Sequence, residues 1–442
     1  MPNTIAQNLD RLKAARIAER EAILKMGGTV NKGDGFEEFP ADTLTIPTNR
    51  VVYGWHIDPS IVDSSNCITY LEDAIGKTPA AMGASAFSYG DWGDAFFIPR
   101  PCMLRYDGTV AYYLDPNDYT KKADGTVSDI ANPAFEGNAM MEWGMIWYKF
   151  EGGETTGEGN FYVANYQVDS SYKCWCNTDS ENHITPHFYT AIYNSTGTTQ
   201  LRSLSGVKLT SANGNGGTTT TQETTRALAN NTTDAVEWYI ETWCDRLLIN
   251  ALLVLMGKSA DLQSVFGNGI IGGSQSAKEA YTTGTLNDKG LFWGDTSGQS
   301  TAVKAFGSEN PWGLVWHRTA GCISVDRVLK VKLTWGTADG STTTGYNQTG
   351  SGYISDGTIP SSNNYVTKLA FNGYGFMTAA TGAIASSPFK DYFYQNTGTR
   401  YLLVGGSSGN GDIAGAFYFN LNNAPELANW SIAAALSCKP LG

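Results

Sequence analysis

From Val51 onward, short strand-like segments alternate with turn signals, and this pattern limits the fold more than any other feature of the chain. Residues 328–335 give the clearest example, because apolar and polar side chains alternate there as in a strand with one buried face. Asp-Gly pairs such as Asp107-Gly108, Asp124-Gly125 and Asp339-Gly340 are typical of turns between strands. The pattern predicts short strands joined by turns, with a half-buried antiparallel strand at 328–335.

Three segments have the pattern of helices instead. In residues 1–26, Thr4 and Gln7 have capping-box spacing, Gly27-Gly28 ends the helix, and a narrow apolar stripe is formed by Ile5, Leu9, Leu12, Ala15, Ala18 and Ala22. A helix this polar is expected to pack on a partner or on copies of itself, with a flexible arm as the alternative. A second helix is predicted from its N-cap Asp234 to Gly257, and a shorter one over 222–230.

Helices combined with many short strands and long glycine-rich loops predict an α+β fold. We divide the chain into an N-terminal helix and linker (1–47), a β-rich region (48–170) and a region with two helices and an irregular antiparallel sheet (171–442). The low-complexity stretch 213–218 is predicted to be an exposed, flexible loop.

Charge is scarce and unevenly distributed. The first 50 residues hold 14 of the 72 charged residues, and the net charge is −12. Nucleic-acid binding and attachment to an anionic membrane are not expected, because both need clustered Lys and Arg. The most apolar run, 247–256, is about half the length of a membrane-spanning helix. The N-terminus lacks the pattern of a secretion signal, so we expect folding in a cytosol with reduced thiols.

Residues 392–442 combine an apolar scaffold with polar, uncharged positions. In a strand at 416–421, Phe417 and Phe419 are predicted to face one side, with Tyr418 and Asn420 on the other. A solvent face normally contains Lys and Glu, so their near absence favours a contact surface. The predicted contact residues are Tyr394, Asn396, Ser407, Ser408, Asn410, Asp412, Tyr418, Asn420, Asn422, Asn423, Asn429 and Trp430.

Residues suited to metal binding or catalysis are few. One cluster offers the ligand types of a tetrahedral zinc site, Cys174, Cys176, His183 and His187. Its spacing is unusual, and buried structural cysteines are the favoured interpretation. Three loop aspartates could bind calcium but are favoured as turn residues, Asp288, Asp295 and Asp356. With four histidines and no recognised nucleophile, zinc-helix or phosphate-loop motif, we predict no catalytic residue and no cofactor.

Several short motifs follow one another along the second half of the chain. They are Thr225-Arg226-Ala227, Trp238 with Trp243, Asn310-Pro311-Trp312-Gly313-Leu314-Val315-Trp316, Leu403 to Ser407, Ala414 to Phe417 and Ala433 to Ser437. In this order they resemble the C-type-lectin-like domain shared by formylglycine-generating enzymes and the variable proteins of diversity-generating retroelements. The resemblance implies a lectin-like fold for 171–442. It does not imply oxidase activity, because only Cys438 lies in the last hundred residues, where the oxidases use a cysteine pair.

Other segments resemble tail-fibre and receptor-binding proteins of bacteriophages, namely 53–59, 107–110, 113–119 and 201–206. The N-terminal helix, with 27–29 and 37–40, resembles the opening of phage tail and baseplate proteins. These resemblances imply a non-enzymatic adhesin at a tail-fibre or baseplate tip, made in the bacterial cytoplasm and assembled into the virion. Its contact residues would bind a host-cell surface protein or glycan.

The same resemblances imply a homotrimer that is attached to other phage tail or virion proteins through residues 1–47. A structural fibre that decorates the head, collar or capsid is the alternative function. Whether a retroelement diversifies the C-terminal segment is open, because a template repeat in the DNA would decide it.

Overall fold

The computed structural model describes residues 5–31, 33–153, 156–179, 182–333 and 359–440. The helices within these ranges are α1 Ile5–Lys25, α2 Phe39–Thr43, α3 Thr220–Leu228, α4 Trp243–Gly257, α5 Gln263–Phe266 and α6 Gln275–Ala280. The strands of the first half are β1 Val52–Ile57, β2 Ile68–Glu72, β3 Ala81–Met82, β4 Phe87–Ser88, β5 Arg100–Arg105, β6 Val110–Asp115, β7 Asp118–Lys122, β8 Gly137–Trp143, β9 Trp147–Gly152, β10 Gly159–Ala164 and β11 Phe188–Ala191. Those of the second half are β12 Val236–Ile240, β13 Lys304–Ala305, β14 Ser308–Glu309, β15 Trp316–Val325, β16 Val328–Val331, β17 Asn364–Asn372, β18 Gly375–Gly382, β19 Tyr392–Gln395, β20 Thr399–Gly405, β21 Gly415–Leu421, β22 Ile432–Ala433 and β23 Leu436–Pro440.

The described strands form three larger sheets, and the fold is mixed α+β as predicted. The first sheet has the order β2-β1-β10-β9, and the second has the order β12-β23-β11-β8-β5-β6-β7. The third has the order β16-β15-β20-β21-β19-β17-β18, with β22 beside β15. Because the second sheet joins strands from both sides of residue 170, the boundary predicted there passes through a continuous sheet.

Helix α4 is buried along its whole length. Its sequence is mostly apolar, as expected for a helix that is covered by protein all round, and its polar Asp245, Arg246 and Asn250 are buried as well. Two hydrogen bonds join it to different sheets, since Trp55 Nε1 donates to the carbonyl of Ala251 (2.9 Å) and Asn250 Nδ2 donates to that of Ala416 (2.8 Å). The core therefore lies around α4, between the first and third sheets.

The helix predicted from Asp234 exists, but its predicted start is wrong. Residues Val236–Ile240 form strand β12 and pair with β23, so Trp238 lies opposite Cys438. The N-cap is Thr242, whose side chain accepts a hydrogen bond from the backbone of Asp245. Pairing with a distant strand therefore overrides the helical spacing in 234–241. The shorter helix is confirmed as α3, which begins with a complete capping box at Thr219.

The N-terminal helix is confirmed over Ile5–Lys25, and Thr4 of its predicted capping box lies outside the described residues. The predicted apolar stripe is exposed throughout, and a different face, formed by Arg20, Ile23 and Leu24, packs on the body. The predicted linker 31–47 contains α2 and packs Phe39 near Ile23. It is therefore part of a small folded N-terminal unit.

The stretch 213–218 is not the exposed loop that its composition suggests. Gly214, Asn215 and Gly216 are buried, and Asn215 Nδ2 donates to the carbonyl of Ser195 (3.1 Å). Both glycines have positive φ (77° and 78°), and a Cβ on Gly216 would lie 2.4 Å from the carbonyl oxygen of Trp430. Glycine is required here for close packing of two backbones.

The β-turn signals are confirmed where the structure describes them. Asp107 and Asp124 each accept two hydrogen bonds from the threonine two residues later, at 2.9 Å from N–H and 2.6 Å from Oγ1. Strand β16 covers Val328–Val331, and its Leu329 and Val331 are buried as the alternation predicts. The strand ends earlier than predicted, because residues 332–333 are described but lie beyond β16, while 334–335 and the Asp339-Gly340 turn lie outside the described residues.

Candidate functional site

Strand β21 carries the centre of the predicted contact surface, and both of its faces are covered. Phe419 packs on the α4 side, 5.3 Å from the ring of Trp243. Tyr418 lies on the opposite face as predicted, but it is fully buried against Trp316, with ring centroids 4.4 Å apart. The prediction that Tyr418 and Asn420 face solvent is therefore wrong, because a second apolar cluster covers that side of the sheet.

The predicted positions 407–412 lie in a loop that packs on another part of the chain. Ser407 and Ser408 are buried, and Ser408 Oγ donates to the carbonyl of Ser274 (2.9 Å). Asn410 Oδ1 accepts the backbone N–H of Ser407 (2.7 Å), and Asp412 accepts a hydrogen bond from Gln299. The prediction that Ser407 and Ser408 are displayed to solvent is wrong, since this loop is held by 271–275 and 299.

The remaining predicted positions are accessible but do not form one surface. Asn429 is exposed and Trp430 is partly exposed, in a turn where the carbonyl of Asn429 accepts from Gly217 N–H (2.7 Å). Asn423 is partly exposed beside β20, where its carbonyl accepts from Tyr401 N–H (3.1 Å). The third group lies around Tyr394 on β19, which is an inner strand of the third sheet.

A row of aromatic rings runs across the third sheet, from β15 over β21 and β19 to β17. It starts at the buried Trp316 and Tyr418 and continues to Tyr392 and Tyr394, whose ring centroids lie 6.1 Å and 6.4 Å from that of Tyr418. Tyr365 extends it, 5.2 Å from Tyr392. Tyr365, Tyr392 and Tyr394 are partly exposed, and we call these three residues the tyrosine patch.

Polar uncharged side chains border the tyrosine patch. Strands β19 and β21 are parallel, so their carboxyl ends lie at the same edge, and there Asn396 Nδ2 donates to Asn422 Oδ1 (3.2 Å). The hydroxyl of Tyr392 donates to the carbonyl of Asn363 (2.9 Å), whose side chain accepts from Gln395 N–H (2.9 Å). We call Asn363, Asn396 and Asn422 the asparagine rim. The irregular antiparallel sheet that the sequence predicts for 171–442 is mostly antiparallel here, but it contains two parallel pairs, β19–β21 and β15–β22.

The side chains around the tyrosine patch are neutral groups that can form hydrogen bonds. Burial, with the neighbouring Tyr394 and Tyr365, raises the pKa of Tyr392, so its phenol stays protonated at neutral pH. Beneath the patch, burial raises the pKa of Asp391 well above its ordinary value, against the effect of a hydrogen bond from Phe417 N–H (2.6 Å). The surface can therefore offer phenol and amide groups to a ligand with little charge.

Sequence reasoning found Tyr394, Asn396 and Asn422 but missed Tyr365, Tyr392 and Asn363. The signal for Tyr392 was present, because residues 392 and 394 are two apart and share one face of a strand. Tyr365 gave no such signal, since β17 reaches β19 across a connection of about twenty residues that no local pattern predicts.

A network of buried, hydrogen-bonded polar side chains lies beside α4. Arg246 Nη2 donates to Glu241 Oε2 (2.8 Å), and His317 lies between Glu241, Arg246 and Asn194. Burial raises the pKa of Glu241, but the charge of Arg246 and the hydrogen bonds from His317 and Arg246 outweigh it and hold that pKa at about 2. The adjoining cavity has a volume of about 30 Å³, which is too little for an organic substrate.

Three of the four potential zinc ligands lie against other polar side chains of the protein. Cys174 and Cys176 are buried, with Thr178 Oγ1 at 3.9 Å from the first sulfur and Tyr148 Oη at 3.7 Å from the second. Burial raises the pKa of Cys174 to about 12.

His183 Nδ1 lies 3.3 Å from Asp179. Asp295 accepts hydrogen bonds from Ser297 and Gly298, and Asp288 pairs with Lys289 at 3.3 Å. Asp356 lies outside the described residues, and within the described ranges no three His, Cys, Asp or Glu side chains converge as a metal site would require.

Comparison with known proteins yields no relative for this chain, since neither a protein-family model nor a curated protein matches it. Among the described residues, no helix combines the length and apolar character that a membrane span requires.

Proposed function

We propose that this chain is a non-enzymatic adhesin of a bacteriophage virion, which binds a host-cell surface protein or glycan through the tyrosine patch and the asparagine rim. The observation that carries the proposal is the row of aromatic rings, whose exposed end is the tyrosine patch. Tyrosine offers large contact area and a hydrogen bond at low entropic cost, which is why it is frequent in binding sites.

Rigid support also favours this surface for binding. Tyr392 and Tyr394 lie on a strand between two others, and the buried Tyr418 lies behind them. A ring that is already held in place loses little freedom when a ligand binds. The predicted contact residues that stay accessible on the folded chain are Tyr394, Asn396, Asn410, Asp412, Asn422, Asn423, Asn429 and Trp430.

A C-type-lectin-like arrangement of 171–442 is part of the proposal. Two of the motifs that resemble that family pack on each other, because Gly313 N–H donates to the carbonyl of Gly405 (3.0 Å). Trp312, at the centre of the first motif, is fully buried and donates from Nε1 to the carbonyl of Gly267 (3.0 Å). Thr225-Arg226-Ala227 lies in α3 and Trp243 begins α4, but Trp238, which the resemblance assigns to a helical region, lies on β12.

Residues 1–47 would attach the chain to other phage tail or virion proteins and join it into a homotrimer. Of fifteen large apolar side chains that are exposed in the described ranges, seven lie within the first 44 residues. Such a concentration of exposed apolar side chains is typical of a surface that another protein covers. This proposal places the chain at a tail-fibre or baseplate tip.

Adsorption of the purified full chain to host cells tests the proposal. We expect saturable binding and a block of infection by the phage that encodes the chain, because the free chain occupies the receptor. Absence of both would contradict adhesin function. Antibody labelling of whole virions in electron micrographs then separates a tail-tip adhesin from the alternative, a fibre that decorates the head or collar.

A further inference from the structure

The enclosed cavity beside α4 lies where several elements of the fold meet. Its walls come from β11, α4, the β13–β14 hairpin, β15 and β23. Most of the lining is apolar, including Trp143, Phe306 and Ile249. Asn194 and Arg246, which are both almost fully buried, bring polar groups to this wall.

Two polar atoms of these lining residues have no hydrogen-bond partner among the described residues, Asn194 Oδ1 and Arg246 Nε. The other donors of Arg246 are engaged, because Nη1 donates to the carbonyl of Pro311 (2.9 Å) and Nη2 to Glu241 (2.8 Å). Asn194 Nδ2 lies 2.7 Å from His317 Nε2. Turning the amide of Asn194 over would exchange its two ends and leave Nδ2 unpartnered instead.

The size and charge of the cavity select the ligand. A space of about 30 Å³ exceeds the ~10–15 Å³ that one water molecule needs, but it excludes larger solutes. The positive Arg246 is already paired with Glu241, and Glu309, which also lines the cavity, accepts hydrogen bonds from Tyr281, Gly284 and Leu286. The unpartnered atoms are one acceptor and one donor, and a water molecule can satisfy both.

We propose that this cavity is an internal hydration site, in which bound water bridges Asn194 Oδ1 and Arg246 Nε. The water would connect α4 to the segment that follows β11, and so would join the central helix to the second sheet. This site is independent of receptor binding and of the proposed function.

A high-resolution crystal structure of the full chain, grown with bromide in the medium, tests the proposal. We expect a discrete water peak within hydrogen-bond distance of both atoms and no anomalous bromide signal in the cavity. An empty cavity, a bromide ion there, or side chains that close the space would overturn the proposal.

Water relaxation dispersion, which detects long-lived internal water, gives a second test in solution. We expect a lower amplitude for Asn194→Leu, because leucine cannot accept the hydrogen bond. The exposed Asn66→Leu is the matched control and should leave the amplitude unchanged. Equal amplitudes in wild type and a folded Asn194→Leu would contradict the proposal.

Discussion

The first half of α1 and the tyrosine patch are both exposed apolar surfaces, but they differ in what lies behind them. Residues 5–15 of α1 are exposed, and Ile5, Leu9 and Leu12 are 89%, 50% and 57% accessible. The rings of the tyrosine patch stand instead on a sheet whose next layer, Tyr418 and Trp316, is buried. A rigid aromatic site suits recognition of a specific ligand, whereas an aliphatic stripe on an exposed helix suits assembly with a constant partner.

Tyr418→Ala should have the largest effect, because it removes the support of the tyrosine patch. Truncation of a fully buried aromatic ring is expected to lower the free energy of unfolding by about 3–5 kcal/mol. Chemical denaturation measures the change. Tyr418→Phe is the control, since the Tyr418 hydroxyl is buried with no partner among the described residues and its removal should cost nothing or stabilise the fold. A large loss in Tyr418→Phe would show that the hydroxyl is bonded.

Low pH should lower the stability of the fold that supports the tyrosine patch, because it protonates Glu241. Its folded-state pKa lies below the ordinary 4.5, at about 2, so the ionised carboxylate stabilises the fold above pH 4.5 and this contribution is lost as the pH falls towards 2. The contribution at neutral pH is about 3 kcal/mol, to order of magnitude.

Denaturation of wild type and Glu241→Gln at several pH values measures this effect. We expect the wild type to be more stable near neutral pH and the difference to shrink between pH 4.5 and 2. A difference that does not change with pH over that range would show that the ion pair with Arg246 does not stabilise the fold.

Tyr394→Ser tests recognition without disturbing the support. Loss of one central aromatic contact is expected to weaken receptor binding by about 2 kcal/mol, or roughly 30-fold in Kd. Binding to host cells at graded protein concentrations measures Kd. Tyr162→Ser removes a partly exposed tyrosine from β10, outside the tyrosine patch, and should leave Kd unchanged. Equal losses of affinity in Tyr394→Ser and Tyr162→Ser would show that the tyrosine patch contributes no more to receptor binding than other tyrosines do.

Leu9→Gln combined with Leu12→Gln should have the smallest effect on stability, within about 0.5 kcal/mol, because both side chains are exposed in the single chain. The same change should abolish the homotrimer, which analytical ultracentrifugation measures. An oligomer that survives the double change would show that α1 is not the surface for self-association.

Local signals predicted the helices better than they predicted exposure. The capping box at Thr219 and the glycines after Lys25 act within a few residues, so α3 and the end of α1 were predictable from sequence. The start of α4 was not, because β12 pairs with a strand some two hundred residues away. Alternation in β21 correctly grouped Phe417 with Phe419 and opposed them to Tyr418. The alternation could not show that other parts of the chain cover both faces of β21, because a two-residue period gives no information on what packs against the strand.

The role of the tyrosine patch in receptor binding is tested most directly by the ability of the purified full chain to block infection. Wild type is compared with the double variant Tyr392→Ser, Tyr394→Ser. The two changes remove most of the tyrosine patch and leave the buried Tyr418 in place. Wild type should block infection, and the folded double variant should not. Equal blocking by a double variant with unchanged thermal unfolding would contradict a role of the tyrosine patch in receptor contact.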